Sequence, residues 1–273
     1  MKKIGIYIVI MLFVISICVF GGRIVVKNVY NNVDNGSVDV ENRKSNDIRN
    51  IDIDSEYGNE IISLIHISNL YSEDFFKEVE NHGLTDKAKI MFTFAKMMKG
   101  EIYSSYIMHS DEYVGDYIKK ADLEMVANKL FLETDNLYHQ DIFMPNSYDS
   151  KKENYINIPT GFVDFNYVKE IPYKIEQKND DITVYTYRLY ITCNTKSVED
   201  DDMIPTHIIY YDLNKKNYAI SVSDEKMDNE NTQDEYLKNL INLGELSKEK
   251  LSQGIYKIVR KENSICIENI SQS

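Results

Sequence analysis

Two histidine–aspartate doublets supply the residue types in this chain that are best suited to acid–base chemistry. His109 precedes Asp111 by two residues, and His139 precedes Asp141 by two residues. In a strand this spacing places both side chains on one face, where a carboxylate can orient an imidazole. Such doublets arise by chance in an acidic chain, so we expect both histidines at the surface or at helix ends. We expect His66 on the side of a helix, near the core.

Acidic clusters are the second feature with chemical potential, because carboxylates bind hard cations. Asp52, Asp54 and Glu56 alternate as the first ligands of an EF-hand loop do, but the glycine and glutamate required at positions 6 and 12 of that loop are missing. The run EDDD at residues 199–202 could gather a divalent cation. A solvated loop between strands is the simpler interpretation, and we predict no metal site.

The sequence contains no strong catalytic or cofactor-binding motif. It has no glycine-rich phosphate loop, no GxSxG elbow, no HExxH and no CxxC pair. We therefore predict no catalytic residue and no bound cofactor, and we favour a binding role over an enzymatic one. The alternative is a surface or secreted hydrolase whose site is assembled from acidic residues and histidines that lie far apart in the sequence.

Tyrosines are concentrated in strand-like runs of the second half. Examples are VYTYRLY at residues 184–190 and IIYYD at residues 208–212. Exposed on a concave sheet, tyrosine rings could stack on sugars or hold a peptide. A packed sheet face whose hydroxyls reach solvent explains the same pattern, and we favour that interpretation.

An uncharged apolar run opens the chain and predicts where the remainder is located. Residues 4–20 carry no charge, and Lys2 and Lys3 precede them. Seventeen to 19 helical residues span about 26–29 Å, close to the hydrocarbon thickness of a bilayer. Basic residues before the run favour a cytoplasmic N-terminus. We predict a signal-anchor transmembrane helix in residues 1–26, embedded through residues 4–22, in the cell membrane with the C-terminal domain extracytoplasmic.

Three other interpretations of this run stay open. Cleavage near Gly21 would release a secreted protein, although the run is longer than a signal-peptide core, which has about 7 to 15 residues. Lipid attachment at Cys18 normally needs a small preceding residue, and Ile17 is large. A buried helix of a soluble core is disfavoured, because 17 consecutive uncharged residues are followed by a polar tract.

The charge of the remaining chain argues against one class of partner. Residues 24–273 keep 28 of the 31 basic residues and all 44 acidic residues, which gives a net charge of −16. Such a surface repels a phosphate backbone. We therefore predict no nucleic-acid partner.

The first half of the remaining chain is predicted to be a tether followed by helices. Residues 27–55 read as a flexible tether, because scattered valines alternate with many Asn and Asp residues without a helical period. Residues 56–145 are predicted to be the helical part of the extracytoplasmic domain. Amphipathic patterns occur at residues 60–79, with a break near Ser72, and at residues 84–100 and 119–131.

The second half is predicted to be an antiparallel sheet. Residues 146–273 contain seven β-rich runs with NDD, NKKN and KEN turns typical of hairpins, and one helix near residues 232–243. Helices followed by hairpin-linked strands predict an α+β domain, with the helices packed on one face of an antiparallel sheet. This plan is similar to cystatin-like and nuclear-transport-factor-like folds.

Two segments carry a resemblance to a group of proteins. The sequences DLEMVANKLF at residues 122–131 and GIYKIVRKENSICIENI at residues 254–270 resemble uncharacterised, N-terminally anchored extracytoplasmic proteins of low-GC Gram-positive bacteria. The resemblance covers residues 115–270 and implies no catalytic or binding residue.

The anchor, the tether and the missing catalytic motifs together predict a function class. They indicate a single-pass membrane protein whose extracytoplasmic α+β domain is a binding or envelope-assembly module. A protein or a cell-wall component is the expected partner.

Overall fold

The structure, a computed structural model, describes residues 47–99, 101–113, 115–156, 164–196, 204–223, 227, 230–261 and 264–272. The transmembrane helix predicted in residues 1–26 and most of the predicted tether lie outside these ranges. Within them, no helix combines the length and the apolar character needed to cross a bilayer.

Five α-helices and eleven strands lie in the part of the chain that the structure describes. The helices are α1 (Glu56–Ile65), α2 (Asn69–His82), α3 (Asp86–Lys99), α4 (Lys120–Leu130) and α5 (Glu230–Asn242), with a 3-10 helix at Glu101–Tyr106. The strands are β1 (Arg49–Ile51), β2 (Ile107–Ser110), β3 (Gly115–Lys119), β4 (Tyr148–Asp149), β5 (Asn154–Ile156), β6 (Asp164–Lys178), β7 (Asp181–Lys196), β8 (Ile204–Tyr210), β9 (Tyr218–Ser223), β10 (Ser252–Lys261) and β11 (Ser264–Gln272).

The helical pattern of residues 60–79 is divided into two helices, but not at the predicted place. The chain leaves the helical conformation at His66, which is extended with φ −70° and ψ 130°, and α2 then runs through Ser72 without a break. The Ser72 hydroxyl accepts a 2.8 Å hydrogen bond from the backbone N–H of Val168 in β6. Ser72 therefore joins helix to sheet instead of ending the helix.

The main sheet has seven strands and is built around β7. The strand order is β1-β6-β7-β10-β11, and β8 pairs with β7 and with β9. The first half of β7 pairs with β10 and its second half pairs with β8. The two β-rich runs predicted before residue 178 form one strand, β6, with a register shift between Pro172 and Lys174. A second, four-stranded sheet has the order β2-β3-β5-β4.

The side chains of β7 alternate between two hydrophobic cores. Val184 and Tyr190 belong to the larger core, which the four helices α1 to α4 cover. Leu189 and Ile191 belong to the smaller core, where α5 packs on the opposite face of the sheet. The predicted α+β class with antiparallel sheets is confirmed, but helices lie on both faces and not on one. The likeness to cystatin-like and nuclear-transport-factor-like folds stays a prediction.

Several predicted segments differ in detail from the structure. β1 falls inside the stretch predicted as a tether, because it pairs with the end of β6. Residues 56–145 also contain β2 and β3. The helix predicted near residues 232–243 is α5, which begins two residues earlier than predicted, at Glu230.

Candidate functional site

A groove of about 770 Å³ runs along the C-terminal ends of α1 and α3. We call it the basic groove, because a histidine and two lysines line it together with apolar side chains. Its lining residues are Asn59, Glu60, Ile62, Ser63, Leu64, His66, Lys96, Lys99, Ile102, Tyr103, Leu130, Ser264 and Ile265. This volume lies in the range of small-molecule and peptide sites, about 300–1,000 Å³.

Local helix chemistry places Lys96 in the groove. The last turn of a helix leaves carbonyl oxygens without partners inside the helix, and those oxygens carry partial negative charge. At the end of α1, the Lys96 ammonium donates to the backbone oxygen of Ser63 and, over 2.6 Å, to that of His66. A side chain of α3 therefore caps α1 and holds the two helix ends together.

The basic groove gathers lysines on a chain whose net charge is −13. Burial, followed by repulsion from Lys99, lowers the pKa of Lys96 to about 7. Burial also lowers the pKa of His66 to about 3, and the nearby ammonium groups of Lys99, Lys169, Lys96 and Lys238 add to the effect. His66 is therefore neutral at pH 7, and Lys96 gives up its proton far more readily than an ordinary lysine does.

The groove also presents apolar surface to solvent. Ile102, in the 3-10 helix after α3, is 79% exposed although it is a large hydrophobic residue. Ile62, Leu64 and Tyr103 lie along the same groove and pack partly against the larger core. The His66 Nε2 atom is buried and has no hydrogen-bond partner within the described residues. Apolar walls beside cationic and unsatisfied polar groups suit an apolar ligand that carries an acidic group.

A second polar cluster involves one of the predicted doublet histidines. The His139 side chain is only 6% exposed, so the expectation of a surface or helix-end position is wrong. Its Nε2 lies 2.9 Å from Glu124 Oε1, and its Nδ1 lies 2.8 Å from the Tyr155 hydroxyl. Asp141, the predicted partner, instead accepts hydrogen bonds from the backbone N–H groups of Asn146 and Tyr148.

This carboxylate–histidine–hydroxyl series has the order that orients a base against a nucleophile. Tyr155 is fully buried, however, and burial raises the pKa of its hydroxyl above the ordinary value of 10. A hydroxyl that solvent does not reach is also out of reach of a substrate. The cluster therefore anchors the segment after α4 to β5 and does not form a reactive centre.

The other chemistry-bearing residues of the sequence are not brought together. His109 is exposed, and its Nδ1 atom lies 3.3 Å from Oδ1 of Asp116. The carboxylate beside it is therefore not that of Asp111, its doublet partner. Asp52 Oδ1 accepts a hydrogen bond from the backbone N–H of Asp54 in the turn before α1. The EDDD run lies outside the described residues. Within the described ranges, no group of three or more His, Cys, Asp or Glu residues is placed to hold a metal ion.

A buried ion pair between two strands of the sheet, on the face that α2 covers, was not predicted from the sequence. The Arg188 guanidinium is fully buried; its Nε donates to Glu170 Oε1 over 2.8 Å, and the group lies 4.4 Å from the centre of the Phe76 ring. Glu170 also accepts hydrogen bonds from the hydroxyls of Thr186, over 2.9 Å, and Tyr256. Glu170 is satisfied by these partners inside the core, and we interpret the cluster as a stabilising network.

Comparison with known proteins assigns neither a family nor a function to this chain. The chain matches no protein-family model, no curated protein sequence and no solved structure.

Proposed function

We propose that this chain is a single-pass membrane protein whose extracytoplasmic α+β domain is a binding or envelope-assembly module, with the basic groove as its partner-binding surface. The observation that carries the proposal is the exposure of Ile102 in the same groove as Lys96 and Lys99. A large, exposed aliphatic side chain beside partly exposed lysines is typical of an interaction surface.

The expected occupant is a segment of a partner protein that combines an apolar side chain with a carboxylate. Ile102, Leu64 and Tyr103 would contact the apolar part. The lysine ammonium groups would attract the carboxylate, which is the charge that the rest of this acidic chain repels.

Membrane topology is supported by the uncharged run at residues 4–20 and the lysines before it. A test uses the full chain with a C-terminal tag and external protease on intact cells. We expect the tag to sediment with membranes and to be removed by the protease. A full-length protein that is recovered in the cytosol and resists protease would contradict the proposed topology.

Groove binding can be tested separately by photo-crosslinking in native membranes. A photoreactive amino acid at position 102 is expected to capture a protein partner, whereas the same group at position 243 is not. Leu243 is a matched control, because it is 75% exposed but follows α5, away from the groove. We expect Lys99→Glu to reduce the capture at position 102 severalfold, and Lys119→Glu to leave it unchanged. Equal capture at both positions, or capture of lipid alone, would argue against the groove as a partner site.

A further inference from the structure

A second cleft, of about 350 Å³, opens on the face of the sheet that carries α5. We call it the tyrosine cleft. The side chains of Tyr173 and Tyr187 line it, and their rings are stacked with centroids 4.1 Å apart and planes 18° apart. The Tyr173 hydroxyl donates a 3.0 Å hydrogen bond to Gln253 Oε1, which fixes its orientation. The two tyrosine side chains therefore form one aromatic surface of fixed orientation.

The sheet register explains how two tyrosines of neighbouring strands come together. Tyr187 is paired with Ile171 on β6 and with Gln253 on β10. The register shift between Pro172 and Lys174 adds Tyr173 to this part of β6 as an extra residue. A bulge re-aims a side chain and is common next to functional sites. Here it brings the Tyr173 ring against Tyr187.

The opposite side of the tyrosine cleft is cationic. Lys238, near the end of α5, and Lys248, in the loop after it, both line the cleft. Neither forms an ion pair with a carboxylate in the portion of the chain that the structure covers. Asp54 is the carboxylate in the lining, and Asn242 adds an amide that can donate and accept hydrogen bonds. Two lysines in one cleft of an acidic protein form a local site for an anion.

We propose that the tyrosine cleft binds a saccharide that carries a carboxylate or a phosphate group. The apolar face of a pyranose ring packs on a tyrosine ring, and its hydroxyls find a partner in the Asn242 amide. Lys238 and Lys248 supply the charge that attracts the acidic group. A neutral sugar would leave both ammonium groups unused, and a simple anion would leave the stacked rings unused. The tyrosine cleft and the basic groove have no lining residue in common.

The test is a titration of the full chain, in mild detergent, with four probes. Tetragalacturonate combines rings with carboxylates, glucose 6-phosphate combines a ring with a phosphate, cellotetraose supplies rings without charge, and inorganic phosphate supplies charge without a ring. We expect one of the two acidic saccharides to bind at least tenfold more tightly than both cellotetraose and inorganic phosphate. Which of the two binds identifies the acidic group.

Variants then assign that binding to the cleft. Tyr187→Ala and the double change Lys238→Ala/Lys248→Ala are each expected to weaken the acidic saccharide at least tenfold. Tyr187→Phe keeps the ring and is expected to retain binding, and Tyr218→Ala, at an exposed tyrosine on β9, is the matched control. Circular dichroism verifies that each variant is folded. Absence of saccharide binding by the folded chain, equal binding of cellotetraose, or equal effects of Tyr187→Ala and Tyr218→Ala would overturn the proposal.

Discussion

Arg188 and Glu170 form a 2.8 Å ion pair at the centre of the domain, where β7 and β6 meet α2 and solvent does not reach. Burying two charges is unfavourable unless each is paired and hydrogen-bonded. Glu170 meets this requirement with Arg188, Thr186 and Tyr256. Arg188 Nη1 has no hydrogen-bond partner within the described residues and lies 4.0 Å from Glu80. The geometry ties α2 to the sheet through charges instead of apolar contacts alone.

Removal of Arg188 is therefore expected to be strongly destabilising. Arg188→Met leaves a carboxylate buried without its cation and should lower the free energy of unfolding by about 3–5 kcal/mol. Urea titration of the full chain in mild detergent measures the change. Lys77→Met, which breaks the surface pair with Glu73, serves as the control and should change stability by less than about 1 kcal/mol. A loss of similar size in both variants would show that the buried pair has no special role.

Because Gly254 has no side chain, it leaves room for the hydrogen-bonded network around Arg188 and Glu170. A β-carbon at this position would lie 2.5 Å from both Glu170 Oε1 and Thr186 Oγ1, which is too close for non-bonded atoms. We expect Gly254→Ala to destabilise the fold by about 1–3 kcal/mol, as overpacking does. If steric overlap is the cause, adding Thr186→Ala should recover part of the loss in urea titrations. A Gly254→Ala variant with an unchanged free energy of unfolding would contradict this packing.

The low pKa of His66 predicts how stability depends on pH. The unfolded chain binds a proton on this imidazole below its ordinary pKa of 6.5, whereas the folded chain binds it only below about 3. Between these values the unfolded state holds more protons, so the free energy of unfolding falls as the pH falls, with a limit near 1.4 kcal/mol per pH unit for one group. His66→Gln should flatten the slope between pH 4 and 6. An unchanged slope in urea titrations would exclude His66 as its source.

The contacts of His139 predict that its replacement loosens only the segment around it. Its bonds to Glu124 and Tyr155 connect the segment after α4 to α4 and β5. His139→Ala leaves the Tyr155 hydroxyl buried without this partner, which costs about 1–3 kcal/mol. We expect faster hydrogen exchange in residues 131–148 with little change in β7. His109→Ala, at an exposed histidine, should leave exchange in that segment unchanged. Uniformly faster exchange across the domain would instead indicate global destabilisation.

Local patterns in the sequence were sufficient to predict most of the secondary structure. The seven β-rich runs of the second half correspond to strands β6 to β11, because period-two alternation reports which side chains face a core. The pattern predicted at residues 84–100 is α3, and the Thr85 hydroxyl just before it accepts a hydrogen bond from the Ala88 N–H. Gly244 has φ +80° just beyond α5, as expected for a residue that ends a helix.

Contacts between distant segments were out of reach of such patterns. The sequence predicts a helix break near Ser72, because the bond to Val168, 96 residues away, is not visible in the local sequence. Arg188 lies in a strand run whose pattern does not show which face is covered, and in the structure the Phe76 ring of α2 packs against it. The basic groove could not be predicted for the same reason, since its residues come from α1, α3, the 3-10 helix, α4 and β11.

The β6–β7 hairpin gives one face to each of the two cores, so neither core is complete without it. A cut at the Asn179–Asp180 turn would separate strands that both cores share, so the two cores cannot be parted without taking this hairpin apart. The domain is therefore expected to melt in a single step.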